Sequence, residues 1–187
     1  MNKTVLYTAI LLLSIIASCK SKYEKAADEI LDKIPEGSTK NLSAGTLRYK
    51  MDIPKGWKEE HRVTRGVDMY YLMAPKTPED PNTNINVIAE YMQNLSLAVF
   101  KAKTIESLKQ AIPSAVITGE GDIEANGIKG GWYSFTMEPS GVKASLIGYI
   151  FPKDGTAYIV TAGTQLEDAK WYRSTFDAVA KSFRFVE

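Results

Sequence analysis

From residue 116 to residue 162 the sequence is a succession of strand-length runs separated by two-residue turn signals. Residues 116–125 and 128–137 flank Asn126-Gly127, a pair that tolerates positive φ at both positions and closes a two-residue hairpin. Ser140-Gly141 makes the next turn, residues 142–151 follow, and Asp154-Gly155 leads into 157–162. Strands joined by turns this tight run antiparallel. The run AYIVTA at 157–162 is nearly all apolar, which is how a strand covered on both faces reads. A chain with this core has few options other than an antiparallel sheet.

The flanking segments supply more strands and the helices that cover them. Leu47, Tyr49, Met51 and Ile53 alternate with Arg48, Lys50 and Asp52, so 47–53 reads as a half-buried strand. Pro54-Lys55-Gly56 turns the chain, and Trp57 starts its return. Residues 69–73 (MYYLM) form a short apolar strand. Ile85, Val87, Ala89 and Tyr91 alternate again and place one face inward. Between these two strands, 75–84 (PKTPEDPNTN) carries three prolines and no apolar period, so it is a loop. Leu97, Phe100, Thr104, Leu108 and Ile112 step by three and four, predicting a helix from about Ser96 to Ala111 that Pro113 stops. Ala169, Tyr172, Phe176, Val179 and Phe183 predict a last helix in the same way. The expected fold class is α+β, an antiparallel β-sheet sandwiched between helices.

The amino-terminal end reads as an address rather than as fold. Lys3 and the terminal amine precede an uncharged, mostly apolar run at 5–17. That run is too short to span a bilayer comfortably, which takes about 20 residues, and it fits the apolar region of a secretory leader. Ile16-Ala17-Ser18-Cys19 resembles the bacterial lipobox, which implies cleavage before Cys19 and acylation of that residue. Two or more acyl chains hold a protein durably on a membrane, at about 0.8 kcal/mol per buried methylene. The expected organisation is a leader at 1–18, then at 19–46 a lipidated amino terminus, an amphipathic helix near 23–34 and a linker at 35–46. One globular domain follows at 47–187. Removal of the leader takes away Lys3 and lowers the formal charge from +1 to zero. The lipid, not a basic surface, would then hold the chain to the membrane.

Composition removes several function classes. Lys and Arg number 23 against 22 Asp and Glu, without the basic excess of a nucleic-acid binder. Cys19 is the only cysteine, which excludes a disulfide framework and any cysteine-cluster metal site. His61 is the only histidine, which excludes two-histidine zinc motifs. No Gly-x-Ser-x-Gly elbow is present, and a Ser-His-Asp triad would have to use His61.

Several strings in fixed order resemble the PsbP-like superfamily over residues 45–187. They are Met51-Asp52-Ile53-Pro54-Lys55-Gly56-Trp57, the strand at 84–91, and the helix holding Leu108 before Ile112-Pro113. The hairpin at 123–128, Lys153-Asp154-Gly155-Thr156-Ala157-Tyr158, Phe176-Asp177 and Ser182-Phe183-Arg184 follow. The resemblance implies a central antiparallel sheet between helical layers. Its members include extrinsic photosystem proteins, a Ran-binding branch and bacterial envelope lipoproteins of the DcrB type. It implies binding or assembly rather than catalysis, and it carries over no functional residue.

Four features are candidates for chemistry. Glu59-Glu60-His61, with Asp68, is the one carboxylate–imidazole cluster, though Glu60 and His61 point to opposite faces of a strand. Gly119-Glu120-Gly121 resembles a fragment of a phosphate loop without the helix start such a loop needs, and Gly130-Gly131 before Trp132 suits close backbone packing. Among the aromatics, Trp57, Trp132 and Trp171 are spread along the chain, and Tyr70-Tyr71 puts one ring on each face of its strand. The loop at 75–84 is the most site-like segment. The expected function is a lipid-anchored envelope module, without catalytic residue, cofactor or metal, that binds or assembles a protein partner and no nucleic acid. Lys20 after the cysteine is not the aspartate of an inner-membrane retention signal, which leans towards the outer membrane of a diderm host. Two other readings stay open. One is a small-ligand carrier with an apolar pocket between sheet and helix. The other is an enzyme whose Glu59, Glu60 and Asp68 converge.

Overall fold

The computed structural model describes residues 49–64, 67–77 and 82–186. The leader, Cys19, the segments at 23–34 and 35–46, and residues 78–81 of the proline-rich loop lie outside the described residues.

Seven strands form one sheet, and every neighbouring pair is antiparallel. They are β2 (Lys58–Thr64), β3 (Val67–Met73), β4 (Asn84–Tyr91), β5 (Val116–Ala125), β6 (Ile128–Met137), β7 (Ala144–Lys153) and β8 (Thr156–Gln165). Their spatial order is β2-β3-β4-β8-β7-β6-β5. Helix α1 (Leu97–Ala111) lies on one face and α2 (Ala169–Lys181) serves the other. The α+β sandwich expected from the sequence is the observed architecture.

The local chemistry explains the elements. Asn126 and Gly127 sit at φ 48° and 78°, and Asp154 and Gly155 at 50° and 75°, the positive pairs that a tight hairpin needs. Ser96 caps α1, its hydroxyl accepting from the Val99 amide at 3.4 Å. On the α1 face Phe100 and Leu108 meet Tyr133, Phe135, Leu146, Ile150 and Ile159. On the α2 face Phe176 and Val179 meet Ile147, Tyr149, Phe151, Val160 and Ala162. β8 occupies the middle of the sheet, so its side chains are covered alternately by the two layers, as AYIVTA foretells.

Four expectations need correction. The strand at 47–53 is, within the described residues, only β1 (Tyr49–Lys50), paired with β9 (Arg184–Phe185) as a separate two-stranded ribbon. The Asp52 amide donates to the Ser182 hydroxyl at 2.8 Å, and the Asp52 carboxylate holds Arg184 at 2.9 Å. Side chains thus replace the ladder there, and Ile53 is 45% exposed. Second, the return strand that the sequence starts at Trp57 is β2, which begins at Lys58 and whose charged sequence suits an edge position. Third, β4 is buried on both faces rather than one: Asn84, Asn86 and Ile88 are as enclosed as Ile85 and Val87, while Tyr91 turns to solvent. Finally, α2 ends at Lys181, and Phe183 enters the core from the turn beyond it.

Candidate functional site

Strand register separates Glu60 from the rest of the carboxylate–imidazole cluster. Glu59 and His61 share one face of β2, with 3.8 Å between Nε2 and Oε1, and both are well exposed. Glu60 takes the opposite face, in register with Tyr71. Asp68 pairs through its backbone with Val63. Tyr70 packs edge-on against His61, and its phenol is pushed up to about 12, first by burial and then by the Glu59 charge. Among the described residues no three His, Cys, Asp or Glu side chains are grouped as a metal site.

The glycine strings serve packing. Gly121 faces Trp132 in the β5–β6 register, and a Cβ on Gly121 would lie 2.8 Å from the indole Nε1. A Cβ on Gly119 would lie 3.2 Å from the far edge of the same ring. Gly119-Glu120-Gly121 is therefore a slot for Trp132, not a phosphate loop. Gly130 lies so close to the Ile150 carbonyl oxygen and the Phe151 ring that no side chain fits, as the Gly-Gly pair suggested. Of the proline loop's described residues, 75–77 are exposed, Asn82, Thr83 and Asn84 are buried, and the Thr83 carbonyl accepts from the Ala74 amide.

The aromatics divide cleanly. Trp57 meets Tyr172 and Phe176 of α2 edge-on, at 6.2 and 6.4 Å between ring centroids. Tyr71 is buried under the α1 layer, while Tyr70 is half-buried on the other face. Trp132 lies in its glycine slot with the Arg173 guanidinium 5.0 Å from the ring centroid. Trp171 alone of the three tryptophans is turned outward, 70% exposed, with the Lys170 ammonium 4.6 Å from its ring centroid.

Trp132, Arg173 and Lys170 lead to a polar groove. A groove of about 240 Å³ runs between the start of α2 and the sheet. Its floor carries the hydroxyls of Thr118, Ser134, Ser145 and Thr164, one from each of β5, β6, β7 and β8. Thr118 and Ser134 are hydrogen-bonded at 2.9 Å, and Ser145 pairs with Thr164 in register. Ile147 and Phe176 close the base, and Lys170 and Arg173 form the wall. Arg173 is held in place. Its Nε donates to Asp177 Oδ2 at 2.8 Å, and the Tyr149 hydroxyl donates to Asp177 Oδ1 at 2.6 Å. Burial and the bond to Asp177 push the Tyr149 phenol far up, so it stays a donor. One carboxylate thus ties the helix to β7 and fixes the guanidinium over Trp132.

No protein-family model matches the chain, and no curated protein does. Solved structures do match in shape. LpqN of Mycobacterium tuberculosis, described as involved in cell envelope biogenesis, aligns with a TM-score of 0.58 at 13% identity, over 74% of this chain and 83% of its own. PA94 of Pseudomonas aeruginosa, a protein of unknown function, aligns at 0.56 and 12% identity, over 66% and 94%. The cyanobacterial PsbP of Synechocystis sp. PCC 6803 aligns at 0.54 and 15%, over 78% of this chain and 91% of its own. The fold is PsbP-like. Identities this low speak for the PsbP-like fold alone. No helix among the described residues is long and apolar enough to cross a membrane.

Proposed function

We propose that this chain is a lipid-anchored protein of the bacterial cell envelope whose PsbP-like domain binds a protein partner without catalysing a reaction on it. The observation that carries this reading is the surface at the start of α2. Trp171 is 70% exposed, and Lys170 joins it to a groove whose arginine is already fixed in place. Exposed tryptophan beside a preset arginine is what dominant interface residues look like, because each loses little freedom on contact. Leu166, 40% exposed just before the helix, extends the apolar part. The lipobox at Ile16-Ala17-Ser18-Cys19 supports the anchor, and the envelope role of LpqN agrees with the location. Lys20 favours an outer-membrane address facing the periplasm in a diderm host, and the DcrB-type lipoproteins are an analogue in kind. The anchor would confine the domain to a thin layer and raise its effective concentration near membrane partners. A carrier of apolar ligands is disfavoured by the groove, which offers hydroxyls and cations between sheet and helix.

A photo-crosslinking amino acid placed at position 171 of the full chain, in the native cell, tests the binding surface. The same probe at Val99, exposed on α1 across the sheet, is the control. One discrete protein adduct from position 171 and none from 99 is expected. No adduct from 171, or the same adduct from both positions, would overturn the reading.

A further inference from the structure

We infer that the groove between α2 and the sheet is an oxyanion subsite, which takes a carboxylate or phosphate group presented by the bound partner. The inference rests on the recognition surface proposed above and names its chemistry. Three observations converge on it.

First, the charge lining the groove is of one sign. Among the described residues Lys170 and Arg173 line it, and no carboxylate does. Both oxygens of Asp177 are engaged by Tyr149 and Arg173, and Glu167 and Asp168 belong to the short 3₁₀ turn before α2. Second, donors are in surplus. Among the described residues the Arg173 guanidinium donates only through Nε, which leaves both terminal amino groups without a partner. Among the described residues Lys170 makes no ion pair, and it rests on the Trp171 ring. The Ser145 hydroxyl adds a donor that rotates to suit a ligand oxygen, while Thr118, Ser134 and Thr164 are already hydrogen-bonded within the floor and to Gly119 and Thr83. Third, the arginine is oriented before any ligand arrives. The bond to Asp177 fixes one end of the guanidinium, which lies 5.0 Å from the Trp132 ring centroid, so a fork-shaped acceptor meets a fork already held. The volume of about 240 Å³ lies below the range for drug-sized ligands, about 300–1,000 Å³, and suits one anionic group with a few attached atoms.

The test uses the full chain in detergent, titrated with inorganic phosphate, with glucuronate, and with glucose as the neutral match. Sodium chloride holds ionic strength constant. The readouts are Trp132 fluorescence and the amide resonances of Ser134, Ser145 and Thr164. Saturable shifts with phosphate or glucuronate and none with glucose are expected. A response confined to phosphate names a phosphoryl source, and one confined to glucuronate a carboxylate source. Lys170→Gln, an exposed position, should weaken binding about tenfold with no change in unfolding, and Arg173→Gln at least as much. Shifts that do not saturate, that glucose reproduces, or that Lys170→Gln leaves unchanged would overturn the subsite. Crosslinking from position 171 with a groove silent to every anion would remove the subsite and leave the recognition surface. Anion binding without crosslinking would remove the protein partner and leave the groove.

Discussion

Replacing Phe183 with alanine is expected to destabilise the domain by about 4 kcal/mol. The ring is fully buried and stacks on Phe151 at 4.6 Å between centroids and on Tyr49 at 5.5 Å, with Phe185 edge-on at 5.2 Å. It joins three parts of the fold: the end of α2, the β1–β9 ribbon and the main sheet. The backbone around it is already committed. The Phe183 amide bonds Ala180, and its carbonyl accepts from the Asn126 side chain at 3.0 Å, so the chain is poorly able to collapse into the vacated space. Urea denaturation measures the loss as a lower midpoint at an unchanged slope. Trp171→Ala, at an exposed position, should stay within about 0.5 kcal/mol of the parent. A Phe183→Ala loss below about 1 kcal/mol would mean the ribbon is not tied to the sheet through this ring.

Glu90→Gln should stabilise the protein, and more so as pH rises. Glu90 is 6% exposed on β4, and burial pushes its carboxyl up to about 8 from an ordinary 4.5. The folded chain keeps this proton to about pH 8, while the unfolded chain releases it near 4.5. Between those values the folded state binds more protons. Stability therefore falls as pH rises from about 4.5 to 8 and is flat above. At pH 7 the cost is roughly 3 kcal/mol, and a neutral amide of the same shape does not incur it. The difference in melting temperature between variant and parent should be near zero at pH 4.5 and grow to a plateau above pH 8. A difference independent of pH would show that Glu90 ionises as freely in the fold as outside it. Tyr133 would respond too: its phenol, raised mainly by burial, is raised further by a charge on Glu90.

Most of the fold was legible because its punctuation is local. Asn126-Gly127 and Asp154-Gly155 announce their hairpins through residues that accept positive φ, and Ser96 announces α1 through its cap. What failed depended on neighbours distant in sequence. The alternation at 47–53 looks like strand although Ser182 and Arg184 satisfy its end. The alternation of Ile85, Val87, Ala89 and Tyr91 hid Glu90, because β4 lies inside a sheet covered on both sides. The groove was invisible for the same reason. Thr118, Ser134, Ser145 and Thr164 have no common motif and meet only through strand register, and Arg173 looks like any exposed helix residue. Gly119 and Gly121 were visible, but their meaning required knowing that Trp132 lies across them.

The proposed function requires this PsbP-like domain to work while tied to a membrane through Cys19. Intact mass measurement of the protein extracted from its native membrane tests the attachment. The predicted result is a chain that begins at Cys19 and carries the added mass of its acyl groups. A chain that still begins at Met1, or one that begins at Cys19 with an unmodified thiol and amine, would contradict it.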